Sequence, residues 1–179
     1  LITSGSQQGL DLIAKSFINP GDKIVVESPT YLAALQTFRM YGAEFIEAPV
    51  DADGVMADEL DKILASEENV KLIYMIPSFQ NPSGRTVSAE RRKAIMEVVQ
   101  KYDVILIEDA PYEDLKYTDD VYPCMKSMDT TGQVLYFGSF SKVITPGFRL
   151  GYSIASEPIL SRMIIGKQSC DLNCSVFSQ

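Results

Sequence analysis

The sequence predicts an α/β domain of three layers: a mostly parallel sheet with flanking helices. Three observations predict it. Short apolar runs alternate with helical patterns along the whole chain. Several runs, above all those from Val70 to Ile76 and Val104 to Ile107, are strongly apolar, as strands buried on both faces are. The residues with chemistry to offer stand just after strands, and open α/β sheets bind ligands at the carboxyl ends of their strands.

Taken in order, Leu1-Ile2-Thr3 reads as the end of a strand, and Ser4-Gly5-Ser6-Gln7 opens a helix. Leu10, Ile13, Ala14 and Phe17 fall on one face of it, and Asn19-Pro20-Gly21-Asp22 stops it. Lys23 to Glu27 is a strand, and Ser28-Pro29-Thr30-Tyr31 turns into a helix that carries Leu35 and Phe38 inward and ends at Gly42. Glu44 to Ala48 is a half-exposed strand. Asp51 to Gly54 is a loop that lacks the later ligand spacing of a calcium site. Leu60, Ile63 and Leu64 mark a short helix. After the strand from Val70 to Ile76, residues 77–84 form a long turn. Ser88 caps a helix whose Ile95, Val98, Val99 and Tyr102 share a face. Val104 to Ile107 ends in Glu108-Asp109, and residues 110–133 are irregular. Val134 to Phe137 and Leu150 to Ile154 are the last strands, and a final helix begins near Glu157-Pro158.

Composition narrows the function. The chain has 179 residues, enough for one domain with a sizeable core. Its net charge of -8 argues against a nucleic-acid or anionic-membrane surface, while allowing a local basic pocket. No apolar run is long enough to span a bilayer. The chain opens at Leu1 with no initiator Met and no secretory signal, so it reads as an excerpt of a longer protein. The three cysteines, Cys124, Cys170 and Cys174, make an odd count, which points to a reducing cytoplasm rather than a disulfide framework. Cys170 and Cys174 would share a helix face, but two ligands without histidine make no metal site, and two buried thiols are expected there. The absence of histidine removes Ser-His and Cys-His nucleophile systems. Any proton shuttle must be Lys, Tyr, Asp or Glu.

The stretch from Gly138 to Arg149 carries the most chemistry. Ser139 and Ser141 flank Phe140 and precede Lys142, and Arg149 lies a few residues on. Hydroxyls and a guanidinium suit a phosphate. Lys142 could be a further phosphate ligand, or an amine nucleophile that forms a Schiff base with a carbonyl. One cofactor asks for both, pyridoxal phosphate, with an aldehyde and a phosphate on one ring. Elsewhere, Ser6 and Gln7 at a helix N-terminus offer backbone N–H groups to a phosphate, or only a capping turn. Tyr31 could stack on a ring or be a half-buried turn residue. Asn81 could donate to a ligand oxygen or simply shape the turn before Pro82. Asp109 needs a cationic partner at the end of its buried strand, a protonated ring nitrogen or a structural arginine. Tyr112 could reach the same ligand.

Together these positions resemble the large domain of the fold-type I, class I and II aminotransferases, which depend on pyridoxal 5'-phosphate. The motifs are Asn81-Pro82-Ser83-Gly84, Glu108-Asp109-Ala110-Pro111-Tyr112, Ser139-Phe140-Ser141-Lys142 and Pro146-Gly147-Phe148-Arg149-Leu150-Gly151. Ser4-Gly5-Ser6-Gln7-Gln8 and Phe79-Gln80-Asn81-Pro82 further resemble the 2-aminoadipate and multi-substrate branch, which includes the aminotransferase-like domain of MocR-type regulators. The resemblance implies that Lys142 carries the Schiff base and moves the substrate proton, and that Asp109 pairs with the pyridinium nitrogen. It implies that Asn81 and Tyr112 hold the ring's phenolic oxygen and that Tyr31 stacks on the ring. It gives the phosphate to Ser139, Ser141, Arg149 and the N–H groups of Ser6 and Gln7. It further implies L-amino acid and 2-oxo acid substrates and a homodimer. It makes residues 1–179 the cofactor-binding domain, without the N-terminal arm and the C-terminal small domain. A cofactor-binding sensor of a transcription regulator and a lyase share every one of these residues and stand as the alternatives.

Overall fold

The computed structural model describes residues 1–117 and 119–179. The chain forms β1 (Ile2–Thr3), α1 (Ser6–Phe17), β2 (Lys23–Glu27), α2 (Leu32–Met40) and β3 (Glu44–Ala48). There follow β4 (Val50–Asp51), β5 (Gly54–Val55), α3 (Ala57–Ser66), β6 (Val70–Met75), α4 (Ala89–Val99) and β7 (Ile105–Asp109). The chain closes with β8 (Val134–Ser139), β9 (Gly151–Ile154) and α5 (Glu157–Cys170). Seven strands build one sheet in the order β1-β9-β8-β7-β6-β2-β3. From β3 to β8 every pairing is parallel, and β9 is antiparallel to both of its neighbours.

Strand alternation divides the core in two. Ile24, Val26, Leu72, Tyr74, Ile107 and Phe137 face one way, under α1, α2 and α5. Val25, Ile73, Met75, Leu106 and Val134 face the other way, under α3 and α4. This is the expected three-layer sandwich, and it explains the apolar runs: the central strands are covered on both sides. Ser88 caps α4 as expected, its hydroxyl accepting the Arg91 N–H.

On α2 the expectation holds: Phe38 is buried and Leu35 packs partly buried against the same core, with Ala34 buried beside them. Three local expectations are corrected. The stretch at Asp51 to Gly54 is not only a loop: β4 and β5 pair across it as a two-residue hairpin, with Gly54 at φ 87°. Cys170 and Cys174 do not share a helix face, because α5 ends at Cys170. Nor are both thiols buried: Cys174 is, whereas Cys170 is exposed beside the Lys15 amine, Nζ to Sγ 3.3 Å. The irregular stretch 110–133 contains two short 3-10 turns, Glu113–Leu115 and Met125–Met128; Thr118 within it lies outside the described residues.

Candidate active site

The carboxyl ends of β6, β7 and β8, the N-terminus of α1 and the turn before α2 meet at one rim. They enclose a cavity of about 220 Å³. Ser6, Gln7, Tyr31, Asn81, Asp109, Tyr112, Ser139, Ser141, Lys142 and Arg149, the ten positions singled out in the sequence, all line it. Ile76, Pro111 and Pro146 complete the wall. Parallel strands bring these distant residues together, since each strand delivers its exit loop to the same edge.

The floor is Asp109. It lies on the Tyr74 side of the sheet, and the Tyr74 hydroxyl donates to its Oδ2 at 2.7 Å. Its Oδ1 is buried and has no hydrogen-bond partner among the described residues. No arginine reaches it, so the structural arginine considered from the sequence is absent among those residues. Burial pushes the carboxyl up to about 6, against the opposing effect of the Tyr74 hydrogen bond. Burial, with the Asp109 charge beside it, also drives the Tyr74 phenol well above its ordinary value. Asp109 thus lines the cavity with one carboxylate oxygen unpartnered, and a cationic N–H would satisfy it.

The sides come from loops. Asn81 Nδ2 stands 3.5 Å from the Tyr112 hydroxyl, so the turn after β6 and the turn after β7 meet at the cavity wall. The exposed Lys142 amine lies over the Tyr112 ring, 5.9 Å from its centroid. Tyr31 is the residue before α2 and is half-buried.

The far end is a cradle. Gly5, at φ 78°, precedes α1 with no side-chain cap, which leaves the first N–H groups of the helix free for a ligand. A Cβ on Gly5 would come within 2.8 Å of the Arg149 guanidinium, so glycine is what lets the arginine lie across the helix start. A Cβ on Gly151 would meet the Ser6 nitrogen at 2.8 Å, so β9 too must carry glycine where α1 seats against it. The Gln7 side chain turns away to the Thr37 hydroxyl at 2.7 Å and leaves only its backbone to the cavity. Ser139 Oγ accepts the Ser141 N–H at 3.2 Å, and Arg149 holds a left-handed backbone, φ 49°, after a short 3-10 turn. Hydroxyls, helix N–H groups and a guanidinium together make a seat suited to an anion.

Sequence reasoning passed over Tyr74, Ile76 and the back of the wall. Tyr74 sits inside an apolar strand, and only the register of β6 against β7, Tyr74 beside Ile107, turns its hydroxyl toward Asp109. Its place on the alternating strand was the available signal.

A doubly covered, mostly parallel sheet thus brings an amine, a buried carboxylate with an unpartnered oxygen and an anion cradle to one rim. The chain belongs to the class I and II aminotransferases, matching that family over residues 1–175. It is 48% identical to aromatic-amino-acid aminotransferase 1 of Thermococcus litoralis over 100% of its own length and 44% of that protein. It is 36% identical to an uncharacterized HTH-type transcriptional regulator of Bacillus subtilis, over 100% of the chain and 37% of that protein. Among solved structures it resembles the α-aminoadipate aminotransferase of Thermus thermophilus, complexed with N-(5'-phosphopyridoxyl)-L-leucine. There the TM-score is 0.94 at 34% identity, covering 99% of this chain and 46% of that one. The chain therefore spans about half the length, or less, of the relatives it matches. No helix among the described residues is long and apolar enough to cross a membrane, and no group of metal-ligating side chains is present among them.

Proposed function

We propose that residues 1–179 are the cofactor-binding large domain of a pyridoxal-phosphate-dependent aminotransferase, which moves an amino group from an L-amino acid to a 2-oxo acid. The single observation that carries this reading is Asp109: a buried carboxylate with one oxygen unpartnered, lining one cavity together with a lysine amine and an anion cradle. Pyridoxal phosphate fits this donor set, since its ring nitrogen is a cation for Asp109 and its phosphate an anion for the cradle. When bound, it supplies an electron sink for the substrate Cα. Asp109 keeps the ring nitrogen protonated. Tyr31 covers the ring face, and Asn81 and Tyr112 hold its phenolic oxygen. Ser139, Ser141, Arg149 and the N–H groups of Ser6 and Gln7 hold the phosphate. Lys142 would hold the cofactor's aldehyde through Nζ, and its amine, when free, would move the proton at the substrate Cα. Full-length partners of this kind pair as homodimers, and a reducing cytoplasm suits three free thiols.

The enzyme reading is favoured over the regulator because the chain is 48% identical to an aminotransferase and only 36% identical to the regulator. The regulator relative keeps the second reading in play. The test is to give the full-length protein an aromatic or acidic L-amino acid and a 2-oxo acid. Matched appearance of the new amino acid and new oxo acid is expected. Loss of the donor without a new amino acid would make it a lyase, and cofactor binding without any turnover would leave the sensor.

A further inference from the structure

One buried carboxylate behind the pocket has no part in that reading. Glu27 closes β2, is 4% exposed, and by strand alternation shares the sheet face of Val25, away from Asp109. Its Oε2 accepts the backbone N–H of Ile76 at 3.0 Å and Nε2 of Gln80 at 3.4 Å. That same Nε2 donates to the Pro29 carbonyl at 2.7 Å. Gln80 Oε1 accepts the Ser83 N–H at 2.8 Å, and the Gln80 N–H donates to the Arg85 carbonyl at 2.8 Å.

Each of these attachments has a pocket residue beside it. Ile76 lines the cavity itself, Asn81 follows Gln80, and Tyr31 stands two residues beyond Pro29. A single carboxylate–amide pair therefore ties together the strand end, the Asn81 turn and the Tyr31 turn. We propose that Glu27, acting through Gln80, is a positioning residue that in its ionised form holds Tyr31 and Asn81 in place against the cofactor's ring. The proposal deepens the reading of the pocket as a pyridoxal phosphate site and rests on it.

A neutral amide at position 27 would also accept the Ile76 N–H, so a purely structural role does not call for a charge. Ionisation strengthens both hydrogen bonds, because bonds to a carboxylate are shorter and stronger than those to a neutral oxygen. Burial pushes Glu27 up to about 7, while the Ile76 N–H, Gln80 and the Arg85 charge act the other way. The clamp thus changes charge near neutral pH. The other groups that face it are few. Arg85 comes from the turn after β6, and Tyr74 on β6 gives its hydroxyl to Asp109. Glu47 on β3 is taken up by the Ser28 hydroxyl at 2.7 Å. A cavity of about 10 Å³, lined by Glu27, Ser28, Gln80, Ser83 and Arg85 among others, has room for about one water that can carry the proton.

The test uses the full-length protein, its Glu27→Gln variant and pyridoxal phosphate in equilibrium dialysis from pH 6 to pH 8.5, with urea unfolding of the cofactor-free forms alongside. At pH 8.5 the variant is expected to bind roughly tenfold more weakly than the parent, the equivalent of one charge-assisted hydrogen bond. The gap should close toward pH 6, where the parent's Glu27 is protonated. The variant's unfolding midpoint at pH 8.5 should be no lower than the parent's, since it buries no charge. A constant ratio of affinities at every pH, or a loss of affinity matched by a loss of stability, overturns the proposal. If Glu27→Gln does not fold, Gln80→Met takes its place: roughly tenfold weaker binding at pH 8.5 is expected, and parent-like binding overturns it. A parent that binds no pyridoxal phosphate at any pH refutes the cofactor reading itself, and this inference with it.

Discussion

Glu108 and Asp109 are consecutive residues at the end of β7, and the two faces of the sheet treat their carboxylates in opposite ways. Glu108 points to the α4 side and is 0% exposed. Its two oxygens accept the backbone N–H groups of Met125 and Lys126, both at 2.8 Å, and so cap the short 3-10 turn that begins there. Asp109 points to the α1 side, has one phenol as partner and leaves its other oxygen bare. Burial pushes both carboxyls up, but only Glu108 has backbone donors to oppose it. One carboxylate is satisfied by the fold, and the other keeps an oxygen without a partner among the described residues. Buried polar groups are normally paired, and among the described residues Asp109 Oδ1 is the one buried carboxylate oxygen that is not, alongside the hydroxyls of Thr3, Thr30 and Ser153.

The largest effect that tests this contrast is on turnover. Asp109→Ala in the full-length protein should cut transamination by about a hundredfold or more, the scale of losing a preorganised electrostatic partner. Much of the cofactor should remain, held by Lys142 and the cradle. Activity within a few-fold of the parent would assign this carboxylate another role. Its stability signature has the reverse sign. The carboxyl protonates more readily folded than unfolded, about 6 against an ordinary 3.8. Its contribution to cofactor-free stability is therefore full below 3.8 and lost as pH rises through about 6. That loss is roughly 3 kcal/mol. Urea unfolding at pH 4 and pH 7 should show Asp109→Asn gaining on the parent between the two.

Across the sheet the expectation is smaller and purely structural. Glu108→Gln offers one acceptor to two N–H donors, and should destabilise the fold by about 1–3 kcal/mol. Pyridoxal phosphate affinity, measured below the unfolding transition, should stay near the parent's. A variant as stable as the parent, or one that loses cofactor without losing stability, would erase the distinction between the two faces.

Much of this was legible in the sequence, for a physical reason. Parallel strands covered on both sides are uniformly apolar, and each ends in a loop at the same rim, so Ser6, Asn81, Asp109 and Lys142 could be brought together before any coordinates. Side-chain direction was less legible. Gln7 enters the cavity by its backbone because Thr37, on another helix, takes its amide. Tyr74 was hidden in an apolar run, and its role depends on the register of β6 against β7. Glu27 and Gln80 were invisible as a pair, since 53 residues separate them and only the pairing of β2 with β6 brings them together. Spacing along the chain reports what faces a rim, but it does not report what stands behind it.

The most direct test is covalent. Pyridoxal phosphate is added to the full-length protein, the complex is reduced with borohydride, and the digested peptides are mapped by mass spectrometry. The pyridoxyl group is expected on Lys142, the lysine that lines the cavity with Asp109 and the cradle. A modification confined to any other lysine, or spread evenly over the exposed ones, would contradict the assignment of this pocket.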